Sequence, residues 1–207
     1  MAKSFQPIVF DPAGCRSEIL ELKSLLDAKA ELSERQDVQP FFKSHEQIAA
    51  FLGTYSNNIG PATDIVFEYP IVGNFVADLI VGNRALGAYC FVEFEDGRDD
   101  SIFKKTTRSM TDWSPRFEHG FSQIVDWFSH LDDLKKTDLF KKDFGKNYPR
   151  FSALLIIGRD SGITDYDRIR LDWRCEKVLI DSQSVVCVTF DRLFEDLDRR
   201  LRVYTGS

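Results

Sequence analysis

Carboxylates on two consecutive predicted strands are the residues of this chain best suited to chemistry. Asp78 lies in one apolar run, and Glu93 and Glu95 lie in the next. Because side chains of a strand alternate between its two faces, Glu93 and Glu95 point to the same side. A suitable register between the strands makes Asp78 a cross-strand neighbour of Glu93.

Neighbouring carboxylates repel each other, by about 1 kcal/mol at a separation of about 4 Å in water and by more in a drier cleft. A chain keeps such a cluster if a cation neutralises it, if one acid stays protonated, or if solvent reaches it. Mg²⁺ prefers oxygen ligands, and it can activate water and stabilise charge on a phosphodiester. The alternative is a half-exposed strand whose glutamates face solvent. Spacing alone leaves both interpretations open.

The elements that position these acids are predicted from hydrophobic periodicity. Three β-rich runs separated by Gly, Asn and Pro turn residues predict an antiparallel meander; they cover residues 64–69, 75–81 and 88–95. Ser114 and Pro115 indicate the start of a long helix, as N-cap and first helical residue. Two continuous apolar runs, residues 151–157 and 185–190, are typical of strands buried on both faces.

Helices are predicted before the meander. Ile19, Leu22 and Leu26 recur at helical spacing, and Ser44 with Gln47 suggests a capping box for a second helix. We therefore expect an α/β fold, with a mixed β-sheet flanked by helices and an N-terminal helical extension. The expected division is residues 1–43 for the extension and 44–207 for the main domain. The leucine stripe packs on that domain or mediates self-association, and we expect a homo-oligomer.

Composition narrows the class of protein. The chain has 207 residues, a formal charge of −6 and 43% hydrophobic residues, as in ordinary globular domains. The acidic total argues against a generally basic protein that coats nucleic acid. The charge is uneven, because residues 93–100 hold five acids and one Arg, while residues 135–150 hold six bases and two acids. The acidic total therefore does not exclude a local basic surface that binds a phosphate backbone.

Targeting signals and metal-binding cysteines are not apparent. The apolar runs are too short to span a bilayer, and the four cysteines have no CxxC spacing. We expect a cytoplasmic protein that does not contact a membrane.

The order of Asp78, a turn and the Glu93-x-Glu95 segment on consecutive strands resembles the PD-(D/E)XK nuclease superfamily. The wider sequence resembles the Shedu immune nuclease family. The segments that carry this resemblance are residues 46–52, 77–81, 91–96, 121–128 and 188–193. The resemblance implies a restriction-endonuclease-like fold and metal-dependent cleavage of DNA in bacterial defence against phage.

The resemblance also implies roles for individual residues. Asp78 and Glu93 would bind Mg²⁺ or Mn²⁺. Gln123 would face the site from the following helix and orient water or phosphate. Glu46 would be the acidic residue of the first core helix, although a glutamate there also suits the helix dipole.

Glu95 departs from the family motif, which has Lys at this position to stabilise developing phosphorane charge. Glutamate there can act as a base or as an extra metal ligand. An alternative is a catalytically inactive sensor or interaction module that keeps the nuclease fold. Lys104, Lys105 and Arg108 follow the carboxylate strand directly and are the predicted DNA contacts.

Overall fold

The computed structural model describes residues 3–73, 75–107, 110–145 and 148–206, with the side chain of Leu139 left out. The strands in this part of the chain are β1 (Gln6–Pro7), β2 (Asp64–Val72), β3 (Phe75–Asn83), β4 (Ala88–Phe94), β5 (Phe103–Lys104), β6 (Asp112–Trp113), β7 (Arg150–Ile156), β8 (Leu179–Ile180) and β9 (Gln183–Val188). The α-helices are α1 (Pro12–Ala28), α2 (Gln39–Ser44), α3 (Glu46–Phe51), α4 (Pro115–Leu134), α5 (Asp138–Phe144), α6 (Asp165–Lys177) and α7 (Phe190–Thr205). A π-helical turn, Glu34–Val38, precedes α2.

The main sheet is mixed, as predicted. Within the described residues its strand order is β1-β2-β3-β4-β7-β9-β8. The β2-β3-β4 meander is antiparallel, whereas β4 pairs with β7 and β7 with β9 in parallel. The parallel strands are the continuous apolar runs of the sequence, and both of their faces are covered by other elements.

Helices cover both faces of the sheet. On one face, α1, α3 and α7 pack against inward side chains such as Val92 and Phe94 of β4. On the other, α4 and α5 pack against side chains such as Phe91 of β4. The acids Glu93 and Glu95 belong to the face of Phe91, because strand side chains alternate. They therefore lie beneath the start of α4.

The segment before residue 44 is part of this packed structure. Ile19, Leu22 and Leu26 of α1 are buried in the same core as Leu193 and Leu197 of α7. The predicted division at residues 43 and 44 stays a prediction, and so does the homo-oligomer. The leucine stripe of α1 is already covered within the chain.

A backbone bridge brings the chain after α1 to the sheet. Leu32 N–H donates to the Gly97 carbonyl at 3.0 Å, and Gly97 N–H donates back at 2.9 Å. Gly97 lacks a side chain because a Cβ there would lie 2.9 Å from the Phe190 ring and 3.1 Å from Leu32. This close approach carries the π-helical turn, which begins at Glu34, to the end of β4.

The four cysteines are free thiols. Among the helices described, each is too short or too polar to cross a membrane.

Candidate active site

An open cleft of about 1060 Å³ lies between the π-helical turn, the ends of β3 and β4, and the start of α4. Its acidic side chains are Glu34, Glu68, Asp78, Glu93, Asp96 and Asp100. Its basic or imidazole side chains are Arg35, Arg98, Lys104, Arg116 and His119. Carboxylates and positively charged side chains therefore line the same cleft.

The strand register makes Asp78 and Glu93 neighbours, as the sequence predicts. Leu79 of β3 pairs with Val92 of β4, so the next pair along the ladder is Asp78 with Glu93. The Phe94 N–H also donates to Asp78 Oδ2 at 2.9 Å. One carboxylate oxygen of Asp78 thus replaces a ladder acceptor, which fixes its side chain at the cleft.

Burial changes the protonation of this pair. Glu93 is only 4% exposed, and its pKa is raised well above the usual value by burial first and by the Asp78 charge second. Burial also raises the pKa of Asp78 to about 6, and the Phe94 N–H opposes that shift. Within the described part of the chain, Glu93 Oε2 is buried without a hydrogen-bond partner. A buried acceptor without a partner is costly, so this atom is suited to a ligand from outside the chain.

Gln39 links this pair to a further acid. Its Nε2 donates to Asp78 Oδ1 and to Glu34 Oε1, both at 3.1 Å. Burial first, and the Asp96 charge second, raise the pKa of Glu34. The Glu34 N–H donates to Asp96 Oδ1 at 2.8 Å. Glu34 and Gln39 were missed by sequence reasoning, because the long-range contacts that place them leave no local pattern.

Glu95 lies beside the pair but is engaged elsewhere. It is 1% exposed, and its Oε2 accepts from Arg116 Nη1 at 2.8 Å. Burial raises its pKa to about 7, and the hydrogen bond from Arg116 opposes this shift. Arg116 also lies 3.2 Å from Asp96 and 3.8 Å from Glu34. Sequence reasoning gave Arg116 no role, although its position beside Ser114-Pro115 marks it as a first-turn residue.

The remaining predicted residues divide into two groups. Gln123 and Lys104 line the cleft, and Gln123 Nε2 lies 3.0 Å from His119 Nε2. Glu46 instead lines a separate groove with Lys3 and other residues near β1. The structure therefore does not bring Glu46 to the carboxylates, since Glu46 begins α3 and the cleft edge is formed by the earlier π-helical turn. Lys105 is exposed outside the cleft lining, and Arg108 lies outside the described residues.

The basic segment at residues 135–150 is partly neutralised by its own neighbours. Lys135 pairs with Asp132 and lies 3.4 Å from Asp181, and Lys141 lies 3.6 Å from Asp138. Arg98 and Arg116 of the cleft are paired with acids in the same way, so ion pairing does not rank the two surfaces. Arg35 and Lys104 are exposed at the cleft edge beside the carboxylates, which places them to contact a phosphate bound there.

The donor set fits a divalent cation held by few protein groups. Among the residues described, no three His, Cys, Asp or Glu side chains gather in a metal-binding cluster. Mg²⁺ commonly takes one or two carboxylates and fills its other positions with water and substrate phosphates. Asp78 and Glu93 are the two carboxylates available for such an ion. Glu93 Oε2 has no partner in the described structure, whereas the Asp78 oxygens accept from Gln39 Nε2 and from the Phe94 N–H.

The fold and the cleft define an α/β domain with a paired-carboxylate site open to a large polar ligand. Residues 31–194 match the family model described as Shedu protein SduA, C-terminal. The chain therefore belongs to the Shedu family, as its motifs suggested, and is a component of a Shedu defence system. No curated protein matches the chain.

Proposed function

We propose that this chain is a metal-dependent DNA endonuclease of the PD-(D/E)XK type that acts in defence against phage. One observation carries the proposal: Asp78 and Glu93 form a buried cross-strand pair whose Glu93 Oε2 lacks a partner in the described structure. Two desolvated carboxylates cost stability in the absence of a cation. The presence of this costly pair of carboxylates at an open cleft supports a catalytic role for Asp78 and Glu93.

The roles of the side chains follow from their positions. Asp78 and Glu93 would hold Mg²⁺ or Mn²⁺, which supplies a more acidic bound water and stabilises charge on the phosphodiester. Gln39 orients Asp78 by its hydrogen bond to Oδ1. Gln123 and His119, one helical turn apart, offer polar groups for water or phosphate on the opposite wall.

DNA is the proposed partner because the cleft is wide, polar and rimmed by exposed cations. Arg35 and Lys104 are exposed at its edge, and the Arg98 side chain is 47% exposed. Cations in this arrangement contact phosphates and position a duplex without reading its sequence. Lys105, which follows β5, would extend the contact beyond Lys104.

The test of activity uses the wild-type chain on linear and nicked DNA. We expect cleavage with Mg²⁺ or Mn²⁺ and none with EDTA. Glu95 at the motif Lys position favours a second candidate, an inactive module that keeps the fold. That candidate predicts no cleavage and no Mg²⁺-dependent rise in the unfolding temperature, and both results together would refute the nuclease.

The acid that supports the metal pair is proposed to be Glu34 rather than Glu46. Glu34 shares Gln39 with Asp78, so Glu34→Ala should lower the cleavage rate by about 10- to 100-fold, as is typical of groups that orient metal ligands. Glu46→Ala, which alters a glutamate in a separate groove, should keep the wild-type rate. If Glu46→Ala cleaves more slowly than Glu34→Ala in the same assay, Glu46 is the supporting acid, as the family resemblance implies.

A further inference from the structure

The positively charged side chain beside the carboxylate pair comes from α4, whereas the family motif places it at the end of β4. Position 95 carries glutamate, and its carboxylate accepts a hydrogen bond from Arg116 at 2.8 Å. Arg116 lines the same cleft as Asp78 and Glu93. Its side chain is 41% exposed, whereas the Glu95 side chain is 2% exposed. Buried Glu95 therefore binds one N–H of the Arg116 guanidinium group, while the rest of that group is exposed at the cleft.

The start of α4 is built to hold Arg116 at that place. Ser114 Oγ accepts from the Phe117 N–H at 3.0 Å, and the Ser114 N–H donates to the Ile102 carbonyl at 2.9 Å. Pro115 fixes the first helical residue. Arg116 follows it in the first turn, so the guanidinium and the helix N-terminus both contribute positive potential that favours an anion at this place.

Gly120 brings α4 close enough for the contact. A Cβ at this position would lie 3.1 Å from Glu95 Cγ and 3.0 Å from Leu155 Cδ1. Gly120 is one turn beyond Arg116, on the helix face that meets β4 and β7. Glycine is unfavourable inside a helix, by about 1 kcal/mol relative to Ala. The close approach of Glu95 to the helix explains its presence.

The guanidinium group has donors left for a ligand. Glu95 accepts from Nη1, Asp96 lies 3.2 Å from Nη2, and Glu34 lies 3.8 Å from Nη1. Arginine has five N–H donors in a fixed plane, which suits simultaneous contact with a carboxylate and a phosphate. A Lys at position 95 would place a second cation against Arg116, so glutamate at 95 and arginine at 116 form a matched pair.

We propose that Arg116 supplies the phosphate-directed positive charge that the motif assigns to position 95, and that Glu95 is its positioning residue. This inference rests on the proposed nuclease function. Glu95 then acts neither as a base nor as a metal ligand. Removal of one preorganised charge of this kind typically lowers kcat by about 100- to 1000-fold.

The experiment compares Arg116→Ala, Arg116→Lys and the double variant Glu95→Lys/Arg116→Ala with wild type. Arg202→Ala is the matched control, since Arg202 is a helical arginine paired with Asp198 on α7, away from the cleft. We expect Arg116→Ala to lose about 100-fold in kcat, with its Mg²⁺-dependent thermal shift retained. Arg116→Lys and the double variant should each recover at least about tenfold over Arg116→Ala.

A second readout does not depend on turnover. The affinity for a short DNA duplex, measured with Ca²⁺ by fluorescence anisotropy, should fall in Arg116→Ala and stay unchanged in Arg202→Ala. If wild type cleaves DNA and Arg116→Ala cleaves equally well, the inference is overturned while the nuclease stands. If wild type neither cleaves DNA nor shows a Mg²⁺-dependent thermal shift, the nuclease fails, and the catalytic role of Arg116 fails with it. If wild type cleaves and Arg116→Ala binds the duplex as tightly as wild type, the contact between Arg116 and phosphate is overturned.

Discussion

Glu93→Gln is expected to abolish DNA cleavage and yet to stabilise the metal-free protein at neutral pH. Glu93 Oε2 is buried without a partner in the described structure, and burial raises the pKa of this carboxyl group. The Glu93 and Asp78 side chains already share a hydrogen bond, and an amide can keep that bond with no charge to desolvate. We expect a gain of about 1–3 kcal/mol in the free energy of unfolding at pH 8, the usual cost of an unsatisfied buried group.

The pH dependence of this gain has a definite sign. A carboxyl group whose pKa is raised by folding holds its proton more tightly in the folded state, so stability falls as pH rises above the unfolded value. The pKa of Asp78 is about 6 and that of Glu95 about 7, so the metal-free protein should lose stability between about pH 4.5 and pH 7. The pKa of Glu93 is shifted in the same direction, so the advantage of Glu93→Gln should be larger at pH 8 than at pH 4.5.

Urea unfolding in EDTA at the two pH values measures this effect. Glu176→Gln is the control, because the Glu176 side chain is 69% exposed and its charge is already hydrated. It should change stability at neither pH. If Glu93→Gln is less stable than wild type at pH 8, burial of the Asp78–Glu93 pair does not destabilise the metal-free protein.

Of the substitutions proposed, Arg159→Ala is expected to lower the free energy of unfolding most, by about 3 kcal/mol. It breaks the largely buried ion pair between Arg159 and Asp191. The Arg159 side chain is 13% exposed and contacts both carboxylate oxygens of Asp191, at 2.9–3.2 Å. It also donates to the carbonyls of Leu26, Lys29 and Ala30. Its loss leaves one carboxylate and three carbonyls without this donor.

Arg159→Ala should also reduce metal binding in the cleft, although Arg159 does not line it. Arg159 holds the chain just before Glu34, so Arg159→Ala should lower the affinity for Mn²⁺ along with the unfolding temperature. Thermal unfolding and calorimetric titration measure the two effects. Arg199→Ala, whose side chain is 70% exposed beside Asp196, is the control and should alter neither quantity. Wild-type stability in Arg159→Ala would show that this network contributes little.

Local patterns were sufficient to predict a mixed sheet, and they left the central pair dependent on the register of two strands. Alternation fixes the face of Glu93, and the register seen in the structure places Asp78 beside it. Ser114 and Pro115 marked the start of α4 correctly. These features depend on neighbours within about twenty residues of the chain, so the sequence carries them directly.

The rest of the site depends on contacts between distant segments. Glu34 reaches the cleft because Leu32 pairs with Gly97, and no periodicity in the sequence reports that bridge. Ser44 ends α2 rather than capping a helix, and His45 takes the N-cap position of α3. Glu46 is thereby placed in another groove, and the acid beside Asp78 comes from a π-helical turn that spacing does not reveal.

The proposed role of Asp78 and Glu93 in DNA cleavage is tested by the Mg²⁺-dependent cleavage rates of wild type and Asp78→Ala, measured side by side on folded protein. Asp78 bonds to the Phe94 N–H and to Gln39, and it is proposed to hold the cation with Glu93. We expect cleavage by wild type that requires Mg²⁺ and is lost in Asp78→Ala. Equal rates for the two proteins, or cleavage that persists in EDTA, would contradict that role.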